Sequence, residues 1–180
     1  MLNGIQGVRS KGFTLVELMV AVMIVATLIA VAAPNFREWL MNVRIHTVAE
    51  SMQNGLQEAR SEAIRRNTAV EFHALANAGT WEIVNMTDMA VLDQSKDSAQ
   101  LKNINLIVLP AGATKVAFNF MGSPMAPADG SPPITSIMVD ADPAILPAAN
   151  SRELMVVVNP ASGSSRMCDP NIPQPSSRAC

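Results

Sequence analysis

The chain has 180 residues, about one ordinary domain, of which 49% are hydrophobic and only 16% charged. Soluble domains average about 25% charged residues, so an apolar surplus must be placed somewhere along the chain. The formal charge of -2 rises in magnitude once residues 1–12 are set aside, because 11 basic groups then face 15 acidic ones. An acidic balance excludes a whole-domain electrostatic pull toward nucleic acid and leaves only a local basic patch open.

Residues 1–12 are polar, contain glycine and carry Arg9 and Lys11. The apolar surplus follows at once, in the 21 residues Phe13–Ala33, with Glu17 as the one ionisable group. As a helix this run reaches roughly 30 Å, enough to cross a bilayer core. The basic residues before it place the N-terminus in the cytoplasm and the C-terminal domain across the membrane. A secretory signal keeps small residues for cleavage after its apolar region, and Ala30-Val31-Ala32 is a poor match. The sharper junction is Gly12–Phe13, before the run, where a cut leaves the anchor attached.

Pro34 removes a backbone donor and is expected to bend or loosen the helix without ending it. Across 35–67 the apolar positions Leu40, Val43, Thr47/Val48, Met52, Leu56, Ala59 and Ala63 recur every three to five residues, the stripe of an amphipathic helix. Glu62 and Arg66 are four apart in the favourable order, Arg65-Arg66 complement the helix dipole, and Asn67 is the expected cap. Gly55 marks close packing. The helix as a whole, about 80 Å long, divides into an all-round apolar half (13–34) and a one-sided half (35–67).

The remainder, 68–168, reads as short strands: Thr68–His73, Thr80–Asn85, Ile104–Leu109, Lys115–Phe120, Thr135–Val139, Glu153–Val158 and Ser165–Cys168. Proline-bearing connections separate them at Gly122–Pro133 and Asp140–Asn150. The fold class is therefore α+β, a long N-terminal helix on an antiparallel sheet domain. Cys168 and Cys180 flank a Pro/Ser-rich tail, 169–180, with little else to hold it. On the oxidising side of a membrane a bridge between them is expected, worth about 3 kcal/mol; two unpaired thiols are the alternative.

The most specific feature is Gly12-Phe13-Thr14-Leu15-Val16-Glu17, preceded by Lys11 and followed by the apolar run. A glycine gives a protease close access, and Phe13 would then carry a new positive amine. Glu17 sits four residues further on, where a lone carboxylate is costly unless a cation neutralises it. One reading is neutralisation by the amine of a neighbouring subunit; the other is that Glu17 is shallow enough to reach headgroups unaided.

That constellation resembles the prepilin signal of type IV pilins and type II secretion pseudopilins. The resemblance implies that a prepilin peptidase/methyltransferase cuts after Gly12 and methylates Phe13. It also makes Glu17 the assembly glutamate of the mature helix and Pro34 its kink. Asn35-Phe36, Arg44 and the segment Leu56-Gln57-Glu58-Ala59-Arg60-Ser61-Glu62-Ala63-Ile64-Arg65-Arg66-Asn67 resemble the GspH/FimT branch, as do Trp81 after Gly79 and the run into Arg166-Met167-Cys168-Asp169. The loops 88–103 and 124–150 match no known pattern. The resemblance implies a structural subunit at the tip or in assembly initiation of a secretion pseudopilus or pilus. Its implied partners are other pilins or pseudopilins, an inner-membrane assembly platform and, before assembly, the lipid bilayer. It places the chain in a bacterial inner membrane, single-pass, with its domain in the periplasm, and then in the fibre.

Two other function classes bear on this sequence. Some FimT-like proteins bind DNA through a Gly-Arg-x-Arg patch; here Gly163-Ser164-Ser165-Arg166 lacks the first arginine, leaving Arg166 with Arg152, Arg178 and Lys115 as candidate contacts. A single-span anchored binding protein explains the apolar run but not the Gly–Phe junction or Glu17. Catalysis has no visible constellation: His46 and His73 stand apart from any zinc pattern, no Gly-x-Ser-x-Gly elbow surrounds Ser61, and no phosphate loop occurs. No metal or cofactor is expected.

Overall fold

The computed structural model describes residues 12–75, 80–95 and 103–180. Helix α1 runs Leu15–Arg66 and passes through Pro34. Among the described residues it is followed by nine strands: β1 (Val70–Leu75), β2 (Thr80–Asn85), β3 (Val91–Gln94), β4 (Ile104–Leu109), β5 (Lys115–Phe118), β6 (Pro124–Met125), β7 (Ser136–Ala141), β8 (Leu154–Val158) and β9 (Ser165–Cys168). Two compact units result, Met1–Arg37 and Glu38–Cys180.

The second unit holds the core. Its α1 segment buries Met41, Ile45, Val48, Ala49, Met52, Leu56, Ala59 and Ala63, a three/four-residue alternation that keeps one face inward. This corrects the expected start of the stripe, since Leu40 and Val43 are exposed and Thr47 is half-buried. Two apolar series overlap at the beginning of this half-helix. Only the Met41–Ile45–Val48 series is in phase with Met52, Leu56 and Ala59; the other turns about 100° away.

Helix α1 ends as a Schellman motif. Asn67 adopts a left-handed φ of 52°, its N–H donates to the Ile64 carbonyl, and the Thr68 N–H donates to Ala63.

The strands form two antiparallel sheets where one was expected, β3-β2-β1-β5-β6 and β4-β7-β8-β9. Val70, Phe72, Trp81, Ile83, Val116 and Phe118 from the first sheet join Ile137, Val139, Val156 and Val158 from the second in one continuous core with α1. Large side chains so buried contribute roughly 1.5–3 kcal/mol each. The helix is also stitched to both sheets by hydrogen bonds. Trp81 Nε1 donates to Ser51 Oγ at 3.0 Å, and Ser165 Oγ donates to the Gln53 carbonyl at 3.4 Å.

Strand ends moved where tertiary partners extended or trimmed them. β1 shifts to Val70–Leu75 because it pairs with all of β2, from Val70–Asn85 to Leu75–Thr80. β5 stops at Phe118 because Asn119 turns the chain, its Oδ1 accepting from Met121 and Ser123. β7 extends to Ala141, which pairs with Ile104. β3 and the two-residue β6 were not expected; both are edge strands specified by their neighbours' registers.

Candidate functional site

Near the N-terminus, a Cβ at Gly12 would meet nothing within 4 Å, and Phe13 is exposed. Thr14 is the N-cap of α1. Its Oγ1 accepts the Glu17 N–H at 3.2 Å, and its carbonyl accepts the Leu18 N–H at 3.1 Å. Thr14-x-x-Glu17 is the spacing of a capping box, a local signal for a helix start at Thr14. It places the Glu17 carboxylate in the first helical turn, where the positive end of the helix dipole favours an anion. Leu15–Ala33 then gives 19 residues of mean hydropathy 2.7, long and apolar enough to cross a membrane.

At the other end of the chain, Cys168 and Cys180 form a disulfide with a Cα–Cα distance of 5.1 Å. The enclosed segment is held on β9 beyond the covalent bond. The Asp169 N–H donates to the Arg178 carbonyl at 2.8 Å, and the Arg166 guanidinium donates to the carbonyls of Ala179 (3.2 Å) and Cys180 (3.3 Å).

The four candidate basic residues therefore separate. Arg166 clasps its own C-terminal segment. Lys115 lies on the other sheet with its Nζ 2.8 Å from Asp129 Oδ2. That hydrogen bond, with the fields of Glu71 and Glu82, pushes the Lys115 ammonium up and outweighs its desolvation, while Lys115 and Ser131 hold Asp129 well below the usual carboxylate range. Arg152 and Arg178 alone come together, lining one groove with Trp39, Asn42, Val43, His46, Thr47, Leu154 and Asp169.

Neither histidine stands as an isolated packing residue. His46 pairs with Glu50 at 3.4 Å on the exposed helix face. His73 lies between two carboxylates, with Nε2 2.8 Å from Glu71 and Nδ1 3.0 Å from Glu82. Glu71 is buried, and its second oxygen accepts the Ala128 N–H at 2.7 Å, fastening the 126–131 loop to β1. Among the described residues no three His, Cys, Asp or Glu side chains converge as metal ligands. The aromatic residues fall into two groups. Trp81, Phe72 and Phe118 are core, whereas Trp39, Phe36 and Phe120 are exposed.

A family model described as type II transport protein GspH matches residues 48–163, and one for the prokaryotic N-terminal methylation motif matches residues 8–33. Two crystal forms of the type IV minor pilin FimU of Pseudomonas aeruginosa (strain PAO1) share the fold. In one the TM-score is 0.52 at 16% identity, over 72% of this chain and 92% of that one. In the other it is 0.51 at 17% identity, over 72% and 97%. No curated protein sequence matches the chain significantly.

Proposed function

Because the chain belongs to the GspH family and carries the N-terminal methylation motif of membrane-anchored pilin-like subunits, we propose that it is a minor subunit of a type II secretion pseudopilus or type IV pilus, serving at the tip or in assembly initiation. The observation that carries this reading is Glu17, one turn into an exposed apolar helix. Its backbone is capped by Thr14, and its carboxylate has no cationic partner among the described residues. In a bilayer such a group costs about 2.5–3.5 kcal/mol at the centre and less near the interface, so a cation that neutralises it favours association.

Cleavage between Gly12 and Phe13 by a prepilin peptidase/methyltransferase supplies that cation. Methylation keeps the new amine positive, and the Phe13 amine of one subunit faces Glu17 of the next as the helices bundle. Pro34 leaves the Ala30 carbonyl without its intrahelical donor, a local weakness that lets the rod adjust to its neighbours. The domain then lies in the periplasm before fibre entry.

The test has two arms. Mass spectrometry of the mature protein should find methylated Phe13 at its start, and a protein beginning after Ala33 would overturn the reading. Glu17→Leu should remain in the membrane fraction yet be missing from sheared filaments or the pseudopilus. Incorporation equal to wild type would remove the assembly role.

A further inference from the structure

Two members of the out-of-phase series on α1, Val43 and Thr47, line a groove. Trp39, Val43 and His46 face this groove of about 340 Å³, closed on its other side by Arg152 and Leu154 at the start of β8 and by Asp169 and Arg178 of the disulfide segment. A second recess of about 180 Å³ adjoins it, sharing His46, Leu154, Asp169 and Arg178 and adding Met167. The two walls come from residues more than 100 positions apart, and specific bonds fix each one. Asn42 Nδ2 donates to the Asn150 carbonyl at 3.1 Å, and Asn42 Oδ1 accepts the Arg152 N–H at 2.8 Å. Asn150 Nδ2 donates to Glu38 Oε1 at 2.7 Å. Arg178 is fixed through its carbonyl by Asp169 and by the neighbouring disulfide.

The backbones of both arginines are thus held, while their guanidiniums have no carboxylate within ion-pair distance among the described residues. Elsewhere in the domain Arg65, Arg66 and Lys115 are each paired with an acid. Trp39 is 59% exposed and Val43 40% exposed beside them. We propose that this groove docks an acidic peptide segment of a partner protein, its carboxylates read by Arg152 and Arg178 and a large apolar side chain seated against Trp39, Val43 and Leu154. Planar guanidiniums suit carboxylates bidentately, and an exposed tryptophan beside arginine has the composition of an interface anchor.

A nucleic acid fits less well. Two arginines make a short electrostatic track, Asp169 stands in the same groove, and the apolar wall is aliphatic over much of its length. The peptide chemistry stands apart from the fibre reading above and would hold for a subunit of either assembly.

The experiment uses the full chain in neutral detergent micelles against a phage library of random heptapeptides, with enriched sequences resynthesised for fluorescence anisotropy. Enriched peptides should combine Asp or Glu with Leu, Ile, Phe or Trp. Their affinity should fall tenfold or more in Arg152→Glu/Arg178→Glu and in Trp39→Ala, and again between 50 and 500 mM salt. Arg152→Lys/Arg178→Lys should retain part of it, which separates lost charge from misfolding. No enrichment, enriched peptides lacking acids, or equal binding by the charge-reversed variant would overturn the proposal. So would displacement of the peptide by a single-stranded 20-mer oligonucleotide at lower concentration than by the peptide itself, which would make this a nucleic-acid site.

Discussion

Gly163 lies so close to the carbonyl oxygen of Gly122 that a Cβ at position 163 would collide with it, and would also come within 3.2 Å of the Phe118 ring. Gly163 belongs to the β8–β9 turn and Gly122 to the β5–β6 turn, so this contact joins the two sheets. Gly163 also has φ of 69°. Both handedness and space therefore oppose a side chain, and Gly163→Ala should cost roughly 2–4 kcal/mol. Thermal unfolding of the folded domain should shift down by about 5–10 °C. An unchanged midpoint would contradict the contact.

Gly55 meets the same constraint inside the helix. A Cβ there would lie 2.7 Å from two ring carbons of Trp81 and 2.8 Å from Phe72, the pair whose rings stack at 6.0 Å. Alanine favours a helix by about 1 kcal/mol over glycine, while overpacking a core costs about 1–3 kcal/mol. Gly55→Ala should come out destabilised, with an altered near-ultraviolet dichroism signal from Trp81. A gain in stability would mean that the rings move aside freely.

Replacing Cys168 and Cys180 by serine should remove about 3 kcal/mol, the loop-closure contribution of a ring this size. Hydrogen exchange should speed up first at the Asp169 and Ala179 amides, which donate to Arg178 and Ser176. Uniform acceleration through the core strands would point to global rather than local loosening.

Glu62 links stability to acid. Burial raises its carboxyl, but hydrogen bonds from Arg66 (Nε to Oε2, 2.6 Å) and Arg65 (Nε to Oε1, 3.0 Å) and their positive fields more than offset this, so its proton affinity is lowered in the folded state. A lowered value means that this contribution is full above the unfolded carboxyl value of 4.5 and fades as pH falls through the folded one. Glu62→Gln should cost about 1 kcal/mol at neutral pH and flatten the acid limb of a stability–pH profile. An acid limb as steep as wild type would assign it to other carboxylates.

What local pattern encodes was readable in the sequence. Thr80–Asn85, Ile104–Leu109 and Ser165–Cys168 matched their strands because alternation and flanking turn residues mark both ends, and Asn67 was visible as a cap. The phase of α1 near residue 40 was not, because two apolar series compete there and only the sheets decide between them. The same holds for His73. Period-two spacing puts Glu71 beside it on one face, but Glu82 and Lys115 arrive through strand register, opposite His73 in β2 and β5. The groove draws on residues 39–47, 152–154 and 169–178, and no linear spacing brings those together. The Thr14-x-x-Glu17 capping box is a purely local signal, set within the stronger Gly12–Phe13 junction pattern.

The order in which the chain visits its sheets has one more consequence. β1, β2 and β3 enter the first sheet, β4 the second, β5 and β6 return to the first, and β7, β8 and β9 finish the second. The backbone thus changes layers three times, and neither layer can be completed from one uninterrupted stretch. A protease nick in the β4–β5 or β5–β6 connection leaves both fragments with strands in both layers, so the domain should resist falling apart after cleavage there and should melt as one cooperative body.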